Sequence, residues 1–295
     1  LFVVNNNHQV VATLSDGDVR RGLISGRELS DSVETVMFSR FRYLQAEKVD
    51  IFQLRQYRLQ KLNVLPLLTN DNRLVGVVNL HTQKSLLPID AVIMAGGKGE
   101  RLRPLTEKLP KPLLFVGDKA IIDHNVDRLI SYGVENISVT TNYLAEKLEK
   151  HYEESHNGVK VQCVRETQFL GTMGAVRLIK EFYNDVVLVM NSDLFTDIDF
   201  EDMYLHFIEN KADMSIAAVP YTVSIPFGIF DLDGRDVKGI IEKPTYNYYA
   251  NAGIYLIKKE MLQFIPEDTF FNATDFLNLI EEKNIDPYNI LAITF

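Results

Sequence analysis

Short apolar runs broken by asparagine-rich turns open the chain. "LFVVNNNHQVVATLSDGD", from Leu1, reads as strand, turn and strand, with a helix beginning near Asp16. "NVLPLLTNDNRLVGVVNLHT", from Asn63, repeats that pattern, and the stretch 46–62 between them has helical periodicity. Two hairpins of one design, roughly sixty residues apart, point to an internal repeat. After Thr82, "QKSLLPID" reads as a linker and the rhythm changes. "AVIMA", "NISVTTN", "KVQCVRE" and "DVVLVMNSD" read as strands. "IIDHNVDRLISYGV", "YLAEKLEKHYEES", "GTMGAVRLIKEFY" and "DFEDMYLHFIEN" read as helices, the last capped by Asp199. "SIAAVPY" is a further strand, and "PFGIFDLDGRDVKGIIEKP" is a hairpin turning at Asp233-Gly234. Strand–helix alternation predicts an α/β fold, Rossmann-like, with a mainly parallel sheet covered on both faces. Ligands collect at the carboxyl ends of such strands, where the loops after Ala95 and Met190 lie. The expected division is an α+β unit over 1–86 and the α/β unit over 87–295.

Composition narrows the chemistry. A length of 295 residues favours two domains, and 46% hydrophobic with 24% charged residues marks a globular chain. The net charge of -9 argues against nucleic acid as main partner. Basic residues concentrated in one loop of an acidic chain suggest a small anion instead. The single cysteine, Cys163, permits no internal disulfide and no cysteine metal site, so a reducing cytoplasm is expected. No apolar run approaches the roughly 20 residues needed to span a bilayer. The six histidines show no metal spacing. The chain opens without Met and ends on the strand-like run "NILAITF", so both ends are expected to be cut.

The loop "GGKGERLRPLTEKLPKP" follows a buried strand but matches neither the dinucleotide fingerprint nor the Walker loop. Its pattern, G-x-G-x-R-x-x-P-x-T-x-x-x-P-K-P, resembles the signature of the sugar-1-phosphate nucleotidyltransferases. Glycines admit phosphate oxygens close to backbone N–H groups, and arginine and lysine neutralise a triphosphate. The resemblance continues through "FLGTMGAV", similar to the family's G-T-A-G-A with Met173 in place of Ala, then "MNSD", "EKP" and "NAGIY".

It implies a set of roles. Arg101, Lys111 and Asp193 are catalytic, with Asp193 holding Mg²⁺. Ala95, Gly96, Gly97, Gly99, Glu166, Gly171, Thr172 and Gly174 contact the nucleotide, the last glycines letting the base lie against backbone. Gly228, Glu242, Lys243, Asn251 and Gly253 hold the sugar phosphate. Two departures stand out. Glu100 occupies a position where many members have Thr. A second metal-binding aspartate, carried by the family in a Trp-x-Asp-x-Gly segment, is absent from these residues, and Asp275 is not taken as its substitute.

The N-terminal repeat resembles a CBS domain pair, the adenosine-nucleotide-sensing modules, with the first unit lacking its leading helix. That likeness implies an adenine nucleotide held through Ser15 and Asp18 in an S/T-x-x-D pattern. The second unit offers Asn79 with no following aspartate, and a purely structural module is the other reading. A CBS pair ahead of this domain resembles the guanylyltransferases acting on mannose 1-phosphate or glucosamine 1-phosphate, which implies GTP; thymidylyl or uridylyl transfer stays open. The expected activity joins a nucleoside triphosphate to a sugar 1-phosphate, in a homo-oligomer. The alternative is a nucleotide-responsive regulatory protein whose transferase fold binds without turnover.

Overall fold

A computed structural model describes residues 1–282 and 289–294. The chain forms two compact units, Leu1–Pro88 with Ser131–Gly133, and Ile89–Ile130 with Val134–Phe295.

In the first unit, β1 (Phe2–Val4) and β2 (Val10–Thr13) form an antiparallel hairpin followed by α1 (Asp16–Ile24). A three-stranded sheet contains β3 (Leu44–Gln45), β4 (Val64–Leu68) and β5 (Leu74–Asn79), with α2 (Ile51–Leu59) between β3 and β4. Leu44, Leu54, Leu65 and Val78 form its core.

The two hairpin turns have matching backbones. Asn5 N–H donates to Gln9 O at 2.9 Å, and Thr69 N–H donates to Arg73 O at 2.9 Å. His8 and Asn72 occupy equivalent left-handed positions, with φ of 61° and 62°. The turns also pair through an antiparallel bridge at Gln9 and Arg73. Ser15 caps α1 in a reciprocal capping box with Asp18. Both Asp18 oxygens are engaged there. One accepts from the Ser15 N–H at 2.8 Å and hydroxyl at 2.6 Å, the other from Arg21 at 2.5 Å. These bonds, the Ser15 hydroxyl first, hold the carboxyl below its ordinary pKa.

The second unit begins with β6 (Asp90–Met94), buried along its whole length, as a strand covered on both faces requires. A small hairpin, β7 (Phe115–Val116) and β8 (Lys119–Ala120), leads into α3 (Ile121–Ser131). Next come β9 (Asn136–Thr141), α4 (Ala145–His151), β10 (Val161–Arg165), β11 (Val186–Asn191) and α5 (Phe200–Glu209). Asp199 caps α5, accepting from the N–H groups of Glu201 and Asp202.

Two long strands, β12 (Met214–Ser224) and β15 (Thr245–Lys258), flank the hairpin β13 (Ile229–Asp233) and β14 (Asp236–Ile241). α6 (Ala273–Glu282) and β16 (Ile290–Thr294) complete the described elements. The sheet order is β10-β9-β6-β11-β15-β12-β16, in which β15 alone runs against the others. Val92, Val189, Met214, Ile257 and Phe276 share one core cluster. Among the described residues no helix is long and apolar enough to cross a membrane.

One expected helix is not formed. Over "GTMGAVRLIKEFY" only a short 3₁₀ segment, Gly174–Leu178, is present. The N–H groups of Met173 and Gly174 donate to Phe271 O at 2.9 and 3.0 Å, so a distant segment claims the donors that would open the helix.

Candidate active site

The four parallel strands β10, β9, β6 and β11 are neighbours, and the loops leaving their carboxyl ends meet in a cleft of about 680 Å³. β10 is followed by Glu166, β9 by Asn142, β6 by the glycine loop and β11 by Ser192-Asp193. The chain leaves β6 toward β9 on one side and returns to β11 on the other, so the crevice opens at the point where the strand order reverses.

The glycine loop forms one wall. Ala95 N–H donates to Thr140 O at 3.0 Å, fixing the start of the loop to β9. A Cβ on Gly96 would stand 2.3 Å from a Glu166 oxygen, so Gly96 is required by the approach of that carboxylate. Gly97 has open space where a Cβ would go and gives the loop a bare surface toward the cleft. Gly99 is left-handed, φ 62°, and packs on Thr106 and Lys111. The Thr106 hydroxyl donates to Gly99 O at 2.9 Å, tying the two ends of the basic segment together. Glu100 lines the cleft and pairs with Arg103 at 3.7 Å.

Arg101, Lys111 and Asp193 line the same cleft, and the Lys111 ammonium pairs with the Asp193 carboxylate. Burial, and after it the neighbouring Arg101 guanidinium, press the Lys111 pKa below its usual value. Contact with Asp193 favours the charged form and works the other way. Asn125, buried on α3, brackets Asp193: its side-chain amide donates to Ser192 O at 3.3 Å and Leu194 O at 2.9 Å. No motif marks Asn125 in the sequence, since Ser192 and Leu194 lie some seventy residues downstream.

Glu166 is buried at the floor. One oxygen accepts from the Leu170 N–H at 3.0 Å. Burial raises its pKa, partly offset by the bonds from Leu170 and Thr140. Gly171 and Thr172 line the cleft, while Gly174 is buried outside it. The Cβ directions of both glycines point at protein. A Cβ on Gly171 would lie 2.8 Å from Phe271 O, and one on Gly174 2.6 Å from Thr269 O. Thr172 caps no helix of its own; its hydroxyl accepts from Ala273 N–H at 2.9 Å.

The remaining expected residues sit on the β12–β15 arm, outside the lining of the cleft. Glu242 and Lys243 are exposed after β14, and a Cβ on Gly228 would lie 2.9 Å from a Glu242 oxygen. The Asn251 side chain accepts from Gly253 N–H at 2.8 Å and donates to the Tyr255 hydroxyl at 2.8 Å. Gly253, φ 74°, approaches the cleft through Asn191, whose amide nitrogen would lie 2.2 Å from a Cβ there.

Among the described residues no group of three or more His, Cys, Asp or Glu side chains could hold a metal. Among these described residues there is no all-protein cage for a cation. One carboxylate facing a phosphate-sized basic loop suits Mg²⁺, which takes one or two carboxylates and completes its shell with phosphates and water.

Half-buried Cys163 has its thiol pushed up to about 11 by burial and then by Glu149, which makes it a poor nucleophile. Two histidines join a polar network away from the cleft. His151 bonds buried Asp123 at 2.9 Å, and His156 bonds Asp127 at 2.6 Å.

Residues 90–284 match the nucleotidyl transferase family. The mannose-1-phosphate guanylyltransferase catalytic subunit beta of Danio rerio is 32% identical over 184 residues, which are 59% of this chain and 51% of that protein. A putative mannose-1-phosphate guanyltransferase of Sulfolobus acidocaldarius is 32% identical over 193 residues, 64% of this chain and 53% of its own. The chain spans about half the length of the curated relatives it matches. HddC from Yersinia pseudotuberculosis shares the fold, with a TM-score of 0.51 and 24% identity over 70% of this chain and 89% of that one. So does a putative glucose-1-phosphate thymidylyltransferase from Bacillus anthracis, with a TM-score of 0.51 and 23% identity over 70% of this chain and 87% of its own. The match begins at the first residue of β6 and runs beyond the loops that build the cleft, and on it the chain belongs to the nucleotidyl transferase family.

Proposed function

We propose that the cleft joins a nucleoside triphosphate to a sugar 1-phosphate, giving a nucleotide-sugar and pyrophosphate. The observation that carries this reading is the meeting of Arg101, Lys111 and Asp193 beside the bare loop surface at Gly97. A phosphate oxygen of the sugar 1-phosphate attacks the α-phosphorus. The bond from that phosphorus to the bridging β-oxygen breaks, and pyrophosphate leaves with the electron pair. The nucleophile is already anionic, so no side chain need act as base. Positioning and charge neutralisation supply the catalysis. Arg101 and Lys111 balance charge on the triphosphate, and the loop N–H groups orient it. Asp193 would hold Mg²⁺, which when bound screens charge on the phosphates. Glu242, Lys243 and Asn251, with Gly228 and Gly253, are assigned to the sugar phosphate.

GTP is the proposed donor. Glu166 supports it, because it brings carboxyl oxygens that accept hydrogen bonds into the lining of the cleft. Guanine offers two adjacent N–H donors on one edge, whereas uracil and thymine offer one between two acceptors. The guanylyltransferase names of the curated relatives point the same way.

The test is Mg²⁺-dependent pyrophosphate release, with each nucleoside triphosphate offered against mannose, glucose, glucosamine and N-acetylglucosamine 1-phosphates. Release with one pair names both substrates; none with any pair, repeated on a C-terminally extended chain, removes the enzymatic reading. The second reading, a binder without turnover, is favoured by the single carboxylate at the candidate metal position among the described residues. Asp193→Ala separates the two, abolishing turnover in an enzyme and only weakening affinity in a binder.

The N-terminal unit is proposed as a CBS pair binding adenine nucleotide at Ser15 and Asp18. The matched turns at His8 and Asn72 support the repeat. Because Asp18 is engaged by Ser15 and Arg21, a ribose must exchange with one of those bonds. A melting temperature unmoved by AMP and ATP without Mg²⁺ would remove this assignment.

A further inference from the structure

Gly171 and Thr172, within the loop Leu170–Gly174, form part of the wall of the cleft beside Glu166, yet no α-helix of its own holds that loop. It is held by the segment just before α6, a hundred residues later. Phe271 N–H donates to Leu170 O at 2.9 Å, and Phe271 O accepts from Met173 and Gly174. Gln168 donates to Asp268 O at 3.0 Å, and Arg177 pairs with Glu267 at 2.7 Å.

The centre of this brace is an exchange of caps. Asn272 stands at the N-cap of α6: its carbonyl accepts from Phe276 N–H at 3.0 Å, and its N–H donates to Asp275 at 2.8 Å. An N-cap asparagine ordinarily turns its side chain onto its own helix. Here the Asn272 side-chain oxygen accepts from Thr172 N–H at 3.3 Å. Thr172 in return supplies the hydroxyl that accepts from Ala273 N–H. The wall cannot shift without uncapping α6, and a left-handed Gly171 is needed for the close approach.

We infer that Asn272, which lies outside the lining of the cleft, is a positioning residue for nucleotide binding, acting through Thr172 and Gly171. This rests on the proposed reading of the cleft as a triphosphate site.

The test compares Asn272→Ala with Asn272→Asp, which keeps a side-chain acceptor at the same reach. Asn272→Ala should raise the KM for the triphosphate about tenfold, with kcat and the KM for sugar 1-phosphate within about twofold. Asn272→Asp should restore most of that loss. Thr172→Val, equal in shape but without the hydroxyl, should behave like Asn272→Ala, and the double variant should be no worse than either alone. A merely structural role would lower the active fraction and leave every KM unchanged, which would overturn the inference. So would an Asn272→Asp variant as impaired as Asn272→Ala. In the absence of turnover, equilibrium binding of GTP supplies the same comparison. GTP binding that Asn272→Ala leaves within twofold overturns this inference alone. A wild type that binds no nucleoside triphosphate overturns the reading of the cleft and the inference together.

Discussion

Lys111 and Asp193, separated by 82 residues, pair across the mouth of the cleft, the cation from the proline-flanked end of the basic loop and the anion from the end of β11. Each side chain keeps about a third of its surface exposed, so their attraction contributes about 0–1 kcal/mol to folding. On the proposed reading, the pair readies the cleft for its ligand and adds little to the stability of the fold.

That separation of roles sets the first expected outcome. Lys111→Met and Asp193→Asn should lower kcat/KM at least about 100-fold. Their melting temperatures should stay within about 4 °C of wild type. Steady-state kinetics beside thermal melts checks both, and a large drop in melting temperature would give the pair a structural role instead.

Asn125 should behave differently, because it is buried and holds two carbonyls. Asn125→Leu removes both donors and leaves Ser192 O and Leu194 O without them, at a cost of about 1–3 kcal/mol. Urea unfolding should register that loss. The Mg²⁺ concentration needed for half-maximal activity should rise as well, since the backbone on both sides of Asp193 is released. An unchanged metal requirement would confine Asn125 to stability.

Two glycines give opposite expectations. Gly97→Ala meets open space, so stability should be unaffected while triphosphate binding weakens about tenfold or more. Gly253→Ala places a Cβ on a left-handed residue and drives it into Asn191, so it should destabilise by about 1–2 kcal/mol from backbone strain alone. Chemical denaturation and nucleotide titration of the two variants, run side by side, check the contrast.

The polar network between α3 and α4 makes stability depend on pH. Burial opposes ionisation of Asp123 and Asp127. Bonds from His151 and Tyr152 to the first, and from Lys119 and His156 to the second, outweigh it and lower both pKa values. Their stabilisation is present above the unfolded value of about 3.9 and is lost as pH falls through the folded values. His151 is raised by its bond to Asp123, with burial opposing. Its stabilisation is full below about 6.5 and is lost as pH rises through the folded value. The melting temperature should therefore be highest between these limits. His151→Gln should flatten the alkaline limb and weaken the Asp123 share of the acid limb, leaving the Asp127 share in place.

Much of this architecture was legible along the chain. Buried parallel strands such as β6 and β11 are apolar at nearly every position, α5 carries its own cap at Asp199, and Asp233-Gly234 dictates a hairpin. Each is a local interaction between neighbours in sequence. The basic loop was legible for a related reason: charge, glycine and proline lie within one contiguous stretch. The segment "GTMGAVRLIKEFY" was misleading because it has helical composition, yet its first donors are taken by Phe271. Ser15 and Asp18 fit a binding pattern and a capping box equally well in sequence, and only the geometry displays the capping box and the Arg21 bond.

What the sequence determined by itself was most of the succession of elements and the kind of chemistry that the loop after β6 could support. What only the tertiary structure decided was which side chains meet. The pairing of Lys111 with Asp193, the bracket from Asn125, the close approach of Gly253 to Asn191 and the cap exchange between Thr172 and Asn272 all cross long stretches of chain. Local propensity carries no information about such contacts. They follow from strand order and packing, which bring distant backbone groups within hydrogen-bonding reach and leave each buried donor to find whatever acceptor the fold has placed beside it.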